Sequence, residues 1–276
     1  MMRPRFNLYL GASLVGVWVL VALIGLAVTP YDPLDMNFDT RLSPPTFHYW
    51  MGTDQYGRDL FSRVLSASSI SLIISLVTVL IAMSVGCVIG AIAGYLGGIV
   101  DRVVVVCLDA IMAFPPLLLV LIFLSVAGPS ASAIIWALGA AFVPTAARVM
   151  RSTVLSIRET EYIEACCVVG SHDTWILWRH VLPNCVSPLT VLATSMFATV
   201  LLLESALSFL GLGVPPPRAT WGALLADSRP FLGQAPWLSI FPGIAISLAL
   251  LGVNMLGDAL RDYLDPQQRQ ASREGL

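Results

Sequence analysis

Lysine is absent from this sequence of 276 residues, since all 15 of its basic residues are arginine. A Walker A loop needs a lysine to reach the β and γ phosphates of ATP, and a Schiff-base enzyme needs a lysine amine. The sequence therefore excludes both kinds of site. If ATP drives the activity of this protein, another chain hydrolyses the ATP.

Charge of either sign is also scarce. Charged residues make up 12% of the chain and apolar residues 57%, and the mean hydropathy is +0.82. A soluble domain of this length needs far more surface charge, whereas a run of about 20 apolar residues can cross about 30 Å of hydrocarbon. The composition predicts a polytopic membrane protein. The net charge of −2 argues against a nucleic-acid-binding protein, which would carry a basic patch.

Six apolar stretches are long enough to span a bilayer as helices. The first follows Arg3 and Arg5 and lacks a convincing cleavage site, so we interpret it as a retained signal anchor. We expect an all-α fold with six transmembrane helices and both termini on one side. The predicted spans are residues 8–28, 70–96, 103–127, 131–149, 188–210 and 237–257.

These spans divide the chain into three predicted parts. Residues 1–69 hold the signal anchor and a long loop, residues 70–266 form the transmembrane core, and residues 267–276 form a polar tail. The core contains one polar interruption, at residues 148–187, which separates the fourth and fifth spans.

Arginine is distributed unevenly between the two sides of this topology. With the N-terminus inside, ten arginines fall in inner segments and five in outer segments. Cytoplasmic loops of membrane proteins are enriched in basic residues. We therefore predict cytoplasmic termini and a cytoplasmic loop 148–187. None of the five cysteines falls in an outer loop, so the sequence indicates no disulfide framework.

The polar loop 148–187 predicts two short helices. Glu, Ala and Cys residues between 159 and 169 suit a helix that Gly170 can end with a positive φ, and Ser171 is a plausible N-cap for the next helix. That second helix is expected to stop before Leu182-Pro183. Its two tryptophans fit either an anchor at headgroup level or a docking surface, and local chemistry does not decide between them.

The spacing within this loop resembles a known motif. Glu164-Ala165-Cys166, three residues, Gly170, nine residues and then His180-x-Leu182-Pro183 are similar to the EAA loop of ABC-importer permeases, E-A-A-x3-G-x9-I-x-L-P. Cys166 replaces the second alanine and His180 replaces isoleucine. The run from Arg179 to Asn184 looks like the variant found in peptide and nickel importers.

Three other segments resemble the same subfamily, the "C" permease of dipeptide, oligopeptide and nickel importers. These segments are Met51–Asp59 with Ser62-Arg63, Asp109–Pro115, and Glu204–Gly213 followed by Trp221-Gly222. The resemblance extends over about residues 10–266, and its four motifs occur in the expected order.

The resemblance implies a type I ABC-importer permease fold in a bacterial inner membrane. It implies four kinds of partner besides membrane lipid: a homologous B-type permease subunit, two cytoplasmic ATPases and an extracytoplasmic solute-binding protein. It also implies that this chain binds no cofactor, because ATP and Mg would be used by the ATPases. The coupling residues it assigns are Glu164, Ala165, Gly170, Leu182 and Pro183.

Three polar residues within the spans are candidates for the translocation path. An unpaired charge in hydrocarbon costs several kcal/mol, so Asp109 and Glu204 need partners. Each could line a polar path or form a hydrogen bond that fixes helix packing. Asn254 is a weaker candidate, for which an interhelical hydrogen bond is the plainer interpretation.

The first outer loop contains five aspartates and the run Gly52–Asp59. This run could contact a binding protein, or it could form a turn that closes the mouth of the bundle. In the second interpretation, which we favour, an interfacial helix with Leu60 and Phe61 on its apolar side follows the turn. His48, beside Tyr49 and Trp50, fits an interfacial residue better than a metal ligand.

Two other classes of protein are alternatives to a transport subunit. A gradient-driven secondary transporter would be expected to show inverted repeats or broken helices around an ion site, and the sequence shows neither signature. An intramembrane enzyme needs a paired nucleophile and base or a metal cluster, and His48, His172 and His180 have no such spacing with Cys or acids. We therefore expect no enzymatic activity and no metal site. The cargo stays open between dipeptides, longer peptides, a nickel chelate and another small solute.

Overall fold

The computed structural model describes residues 4–264, without the side chains of residues 4–7 and 167. The predicted tail 267–276 lies outside the described residues. Ten α-helices are found between residues 4 and 264, and this part of the chain has no strand. The helices are α1 (Pro4–Ala27), α2 (Leu60–Leu96), α3 (Gly98–Met112), α4 (Pro116–Ala127), α5 (Ala131–Arg158), α6 (Glu161–Val168), α7 (Asp173–Ile176), α8 (Leu182–Phe209), α9 (Trp221–Ser228) and α10 (Trp237–Leu264).

Helices α2 and α5 pack against each other along a row of glycines. Gly86, Gly90 and Gly94 lie four residues apart, on one face of α2, and bring its backbone close to α5. A methyl group on Gly86 would lie 2.5 Å from Cβ of Ala146, and one on Gly94 would lie 3.1 Å from Cβ of Val154. Residue numbers rise in the same direction along both helices, so α2 and α5 are parallel.

This parallel packing determines what α3 and α4 must do. Because α2 and α5 cross in the same direction, the chain between them has to return across the membrane once. Helices α3 and α4 are bent by 81° relative to each other, so together they form one broken span. The predicted third span, residues 103–127, is therefore one crossing that is broken in the middle. The break falls at Pro115-Pro116, where the missing backbone N–H groups and the fixed φ interrupt the helix.

Helices α1 and α10 pack in opposite directions. Gly11 of α1 approaches the backbone of Met255 and Leu256, while Gly252 of α10 approaches Leu14. With α3 and α4 as one span, the described chain crosses the membrane six times, as predicted, and residues 4 and 264 lie on the same side. We call this the EAA side, because it also carries residues 159–181. The opposite side, with residues 28–59, is the long-loop side.

Helix α2 begins ten residues earlier than the predicted second span. Asp59 caps it by accepting a hydrogen bond from the backbone N–H of Ser62 at 2.8 Å, and Leu60 and Val64 are buried from the first turn onward. No separate interfacial helix precedes the span, and the expected domain boundary at 69/70 falls inside α2. Helix α5 likewise extends past residue 149 to Arg158.

The loop that precedes α2 is folded inward. Asp54 receives the side chains of two arginines, with Arg58 Nε at 2.7 Å and Arg63 Nη1 at 3.2 Å from its Oδ2. All three side chains are at most 8% exposed. Gly57 has φ +74° and closes the turn. The turn of the favoured interpretation is thus present, whereas its role in closing the mouth of the bundle stays a prediction.

Candidate functional site: the exposed knob and the charged seam

Helix α6, the turn at Gly170 and helix α7 form a compact projection on the EAA side, which we call the knob (residues 159–181). Cys166, the cysteine of the knob whose side chain is described, is free. A small apolar cluster fixes the knob to the membrane helices: Ile163 and Ile176 are buried against Met150 and Val154 of α5 and Cys185 of α8. A force on α6 is therefore transmitted directly to two spans.

Gly170 ends α6 in the way the sequence predicts. It has φ +83°, and the N–H of Ser171 donates to the carbonyl of Cys166 at 3.1 Å, which is the six-to-one bond of a Schellman motif. Ser171 itself is not the N-cap of the next helix. His172 occupies that position and makes no side-chain capping bond.

The second short helix does not stop before Leu182-Pro183. Helix α7 continues through one π-helical turn, Leu177–Val181, into α8, so that residues 173–209 form one continuous helix. Pro183 has no N–H to donate, and the side-chain Nδ2 of Asn184 donates to the carbonyl of His180 at 2.7 Å. Leu182 and Pro183 therefore lie within this helix, at the start of α8.

The knob presents its motif residues to solvent. Glu164, Ala165 and Gly170 are exposed, and no atom lies within 4 Å of the position that a Cβ of Gly170 would occupy. Large apolar side chains around them are also exposed, although exposing them is unfavourable unless another surface covers them. The most exposed are Val168 (87%), Val169 (84%), Trp178 (71%) and Trp175 (51%).

Asp109 is not alone, because it faces an arginine on the neighbouring span. Its Oδ1 lies 2.6 Å from Nη2 of Arg148 on α5, and both side chains are about half exposed. One helical turn further, Arg151 forms a two-pronged ion pair with Asp101 of α3, with Nη2 at 2.6 Å from Oδ2. These two pairs form a charged seam between α3 and α5.

The charged seam borders a cavity of about 290 Å³, which Asp109, Arg148 and Arg151 line together with Val105 and Leu108. From the sequence, Asp109 is a candidate for the translocation path, whereas the two arginines serve only as evidence for topology. The spacing of the charged residues could have indicated their pairing. Two aspartates eight residues apart share a helix face, and two arginines three residues apart share a face on another helix.

Glu204 occupies a different environment from Asp109. It is fully buried, its Oε1 accepts a hydrogen bond from Ser208 at 2.8 Å, and the hydroxyls of Ser71 and Thr220 lie nearby. The backbone N–H of Trp221 in turn donates to Ser71 at 3.3 Å, which ties α9 to α2. Between the two interpretations of Glu204, this geometry favours helix packing over a path-lining role.

Asn254 is exposed on α10, and within residues 4–264 its side chain makes no hydrogen bond. The interhelical hydrogen bond expected for it is absent from the described part of the chain.

Among the residues the structure describes, no group of three or more His, Cys, Asp or Glu side chains could hold a metal ion.

Known proteins resemble this chain in sequence over most of its length. A family described as "Binding-protein-dependent transport system inner membrane component" matches residues 86–270. A relative from Brucella suis biovar 1, named for peptide transport, is 40% identical over 267 residues, which cover 97% of this chain and 90% of the relative. The glutathione transport system permease protein GsiD of Salmonella typhimurium is 40% identical over 250 residues, 90% of this chain and 82% of the relative.

The fold also has a counterpart among solved structures. An inward-facing structure of the MetNI methionine ABC transporter superposes with a TM-score of 0.61 and 17% identity, covering 73% of this chain and 95% of that chain. The predicted ABC-importer permease fold is thereby confirmed. From the sequence match and the six membrane crossings, we conclude that this chain is a multi-pass inner-membrane transport permease, and that it belongs to the family of inner membrane components of binding-protein-dependent transport systems.

Proposed function

We propose that this chain is one of two permease subunits of an ATP-driven peptide importer, and that the knob is where a cytoplasmic ATPase docks. The observation that carries this proposal is the exposed knob surface, which presents an acidic residue, Glu164, and the exposed side chains of Val168, Val169 and two tryptophans. Exposed apolar side chains rimmed by polar groups are typical of protein interfaces.

The packing beneath the knob supports a mechanical role. Ile163 and Ile176 are buried against α5 and α8, so movement of an attached ATPase would displace both spans together. ATP-driven closure of two ATPases would bring the knobs of two permease subunits together and switch the bundle between inward-facing and outward-facing states. This is a rigid-body transition of packed helices.

The chemistry of ATP hydrolysis is assigned to the partner chains. This chain has no lysine for a phosphate-binding loop, so ATP and Mg would be bound by the ATPases alone. In this assembly the EAA side faces the cytoplasm, in keeping with the ten-to-five arginine asymmetry. A homologous B-type permease and an extracytoplasmic binding protein complete the assembly. The family match does not favour the gradient-driven alternative.

Peptides are the substrate class that the relatives' names support, since a relative with 38% identity is the dipeptide transport system permease protein DppC of Alkalihalophilus pseudofirmus. The charged seam suits such a substrate. A peptide carries one positive and one negative terminus, and Asp109 and Arg148 offer one charge of each sign beside a cavity. We propose this pair as part of the translocation path.

Two substitutions test the docking role of the knob in the complete transporter, reconstituted with its binding protein. Gly170→Pro fixes φ near −65°, so residue 170 can no longer adopt its φ of +83°. Glu164→Arg reverses an exposed charge. We expect normal amounts of inserted chain, loss of uptake, and loss of the stimulation of ATP hydrolysis by the loaded binding protein.

Matched controls separate docking from general damage. Gly128→Pro places proline at another open glycine with positive φ, +78°, on the long-loop side, and Asp39→Arg reverses an exposed charge on that same side. Both controls should retain stimulated ATP hydrolysis. If the two knob variants transport at the wild-type rate with ATPases still attached, the docking assignment is wrong.

A further inference from the structure

A second site lies on the long-loop side, where the chain leaves α1 and enters α2. A cavity of about 270 Å³ opens there between the loop and the first turn of α2. Five of its lining side chains are aromatic rings and one is a carboxylate: Tyr31, Phe47, His48, Trp50, Phe61 and Asp59. The motif resemblance and the transport role leave this cavity unexplained.

The aromatic rings line one side of the cavity, and some of them are exposed to solvent. Trp50 and Phe61 have ring centroids 5.1 Å apart at an interplanar angle of 49°. The backbone N–H of Tyr31 donates to Ser62 at 3.1 Å, which fixes the loop against α2. Phe47 is fully exposed and Trp50 is 63% exposed. The negative faces of such rings attract cations.

Asp59 adds a charge that the surrounding chain does not neutralise. The residue is 4% exposed, and its Oδ2 accepts hydrogen bonds from the N–H of Ser62 at 2.8 Å and from the hydroxyl of Ser62 at 2.6 Å. Its Oδ1 is buried and has no hydrogen-bond partner within residues 4–264. The neighbouring Arg58 and Arg63 pair with Asp54 instead. A buried carboxylate oxygen without a partner is costly, so a bound donor would stabilise the site.

These features select the chemistry of the ligand. A carboxylate with aromatic walls favours an organic cation and disfavours an anion. A metal ion is a poor fit, since no cluster of three or more acidic, His or Cys ligands occurs in the described part of the chain. A cavity of about 270 Å³ has room for a small headgroup.

We propose that this cavity binds a primary ammonium group, and that its source is the headgroup of phosphatidylethanolamine. The cavity lies between the end of one span, α1, and the start of another, α2, so it is at the level of the lipid headgroups. Exposed aromatic side chains are typical of that level. The ammonium lies beside the Asp59 carboxylate and rests against Trp50 and Phe61.

Native mass spectrometry of the full chain tests this site. The delipidated chain is mixed with equal amounts of phosphatidylethanolamine and phosphatidylglycerol that have the same acyl chains, and the ratio of the two bound lipids is measured. Asp59→Asn keeps the helix cap, because asparagine caps as well as aspartate, but removes the charge. We expect the ratio to fall about tenfold in Asp59→Asn and about threefold in Trp50→Leu.

Asp35→Asn is the matched control, because Asp35 is an exposed aspartate of the same loop that does not line the cavity. Its ratio should equal that of the wild type. Loss of bound phosphatidylethanolamine on adding excess free ethanolamine would support the ammonium chemistry with a soluble amine as the source. Retention of the lipid would support the headgroup. An unchanged ratio in both Asp59→Asn and Trp50→Leu would overturn the proposal, and Trp50→Leu, on the exposed rim, is informative even if Asp59→Asn does not fold.

Discussion

The run Gly52–Asp59 and the run Glu164–Gly170 both contain an acidic residue and both turn at a glycine with positive φ, yet they use these features in opposite ways. A Cβ on Gly57 would overlap the carbonyl oxygen of Asn37, whereas a Cβ on Gly170 would meet nothing within 4 Å. The first run is folded into the protein, and the second is presented outward. Motif residues can therefore either stabilise the chain's own packing or remain exposed for contact with another molecule. Their burial distinguishes these two roles.

The charged residues of the two runs make the same distinction. Asp54 is 4% exposed and lies beside two arginines, and Arg63 also reaches toward Asp227 of α9, at 3.7 Å. Burial raises the pKa of Asp227, and the nearby Arg63 opposes that rise. Glu164, in contrast, is exposed. We therefore expect substitutions in Gly52–Arg63 to change stability and substitutions in the knob to change coupling.

Gly57→Val should have the largest effect. Valine rarely adopts φ +74°, and its Cβ would overlap Asn37, so we expect a loss of about 4 kcal/mol or more in the free energy of unfolding and little folded chain in the membrane. Fluorescence-detected size-exclusion chromatography measures the folded amount. Gly170→Val is the matched control and should yield clearly more folded chain, because only backbone strain opposes it. Equal losses in both variants would break the comparison.

Arg63→Met should have the next largest effect. It leaves Asp54 with one arginine in a buried site, and removing one partner of a buried ion pair typically costs about 3 kcal/mol or more. We expect a lower thermal unfolding temperature in detergent. Glu164→Met, at an exposed acid, should leave the unfolding temperature close to that of the wild type. A stable Arg63→Met variant would show that the buried network is not needed for the fold.

The effect of Arg148→Gln on stability should be smaller than that of Arg63→Met, because the ion pair between Arg148 and Asp109 is half exposed. Solvent-exposed ion pairs contribute about 0–1 kcal/mol, so stability should hardly change. If the pair lies on the translocation path, the concentration dependence or maximal rate of peptide uptake should change in both Arg148→Gln and Asp109→Asn. Uptake indistinguishable from the wild type in both variants would remove the pair from the path.

The double variant Val168→Ser, Val169→Ser should have the smallest effect on stability, within about 0.5 kcal/mol, since both side chains are more than 80% exposed. Its effect on function should be larger, because it removes apolar area from the proposed docking surface. Co-purification with the ATPases measures that effect. Undiminished co-purification would place the docking contact elsewhere on the knob.

Composition and local spacing predicted the features that depend on a single stretch of chain. The six crossings follow from apolar runs that have no alternative but the bilayer, and the φ of Gly170 follows from the need to end α6. The break at Pro115-Pro116 was also readable, since two adjacent prolines interrupt a helix, but a window of mean hydropathy conceals it.

Features that depend on two stretches were not predictable in the same way. The pairing of Asp109 with Arg148 requires knowing that α3 lies beside α5. Helix α2 begins at Leu60 rather than residue 70, and its first turns contain polar residues such as Ser62 and Ser68 that are buried within the protein. Mean hydropathy does not include the hydrogen bonds that such residues form, so it places the start of the span too late. The continuous helix from Asp173 to Phe209 arises because Pro183 is accommodated by a π turn, which tertiary packing decides.

The glycine row between α2 and α5 has a mechanical consequence. Helix α2 has 37 residues, which at 1.5 Å per residue make a rod of about 55 Å, longer than the hydrocarbon is thick. One end of this rod carries the buried turn around Asp54, and the other is locked through Gly90 and Gly94 to the part of α5 that leads into the knob. Because closely packed backbones cannot slide without clashing, we expect displacement of the knob to tilt the rod as a whole. A single helix would then carry movement at the EAA side to the buried turn on the long-loop side.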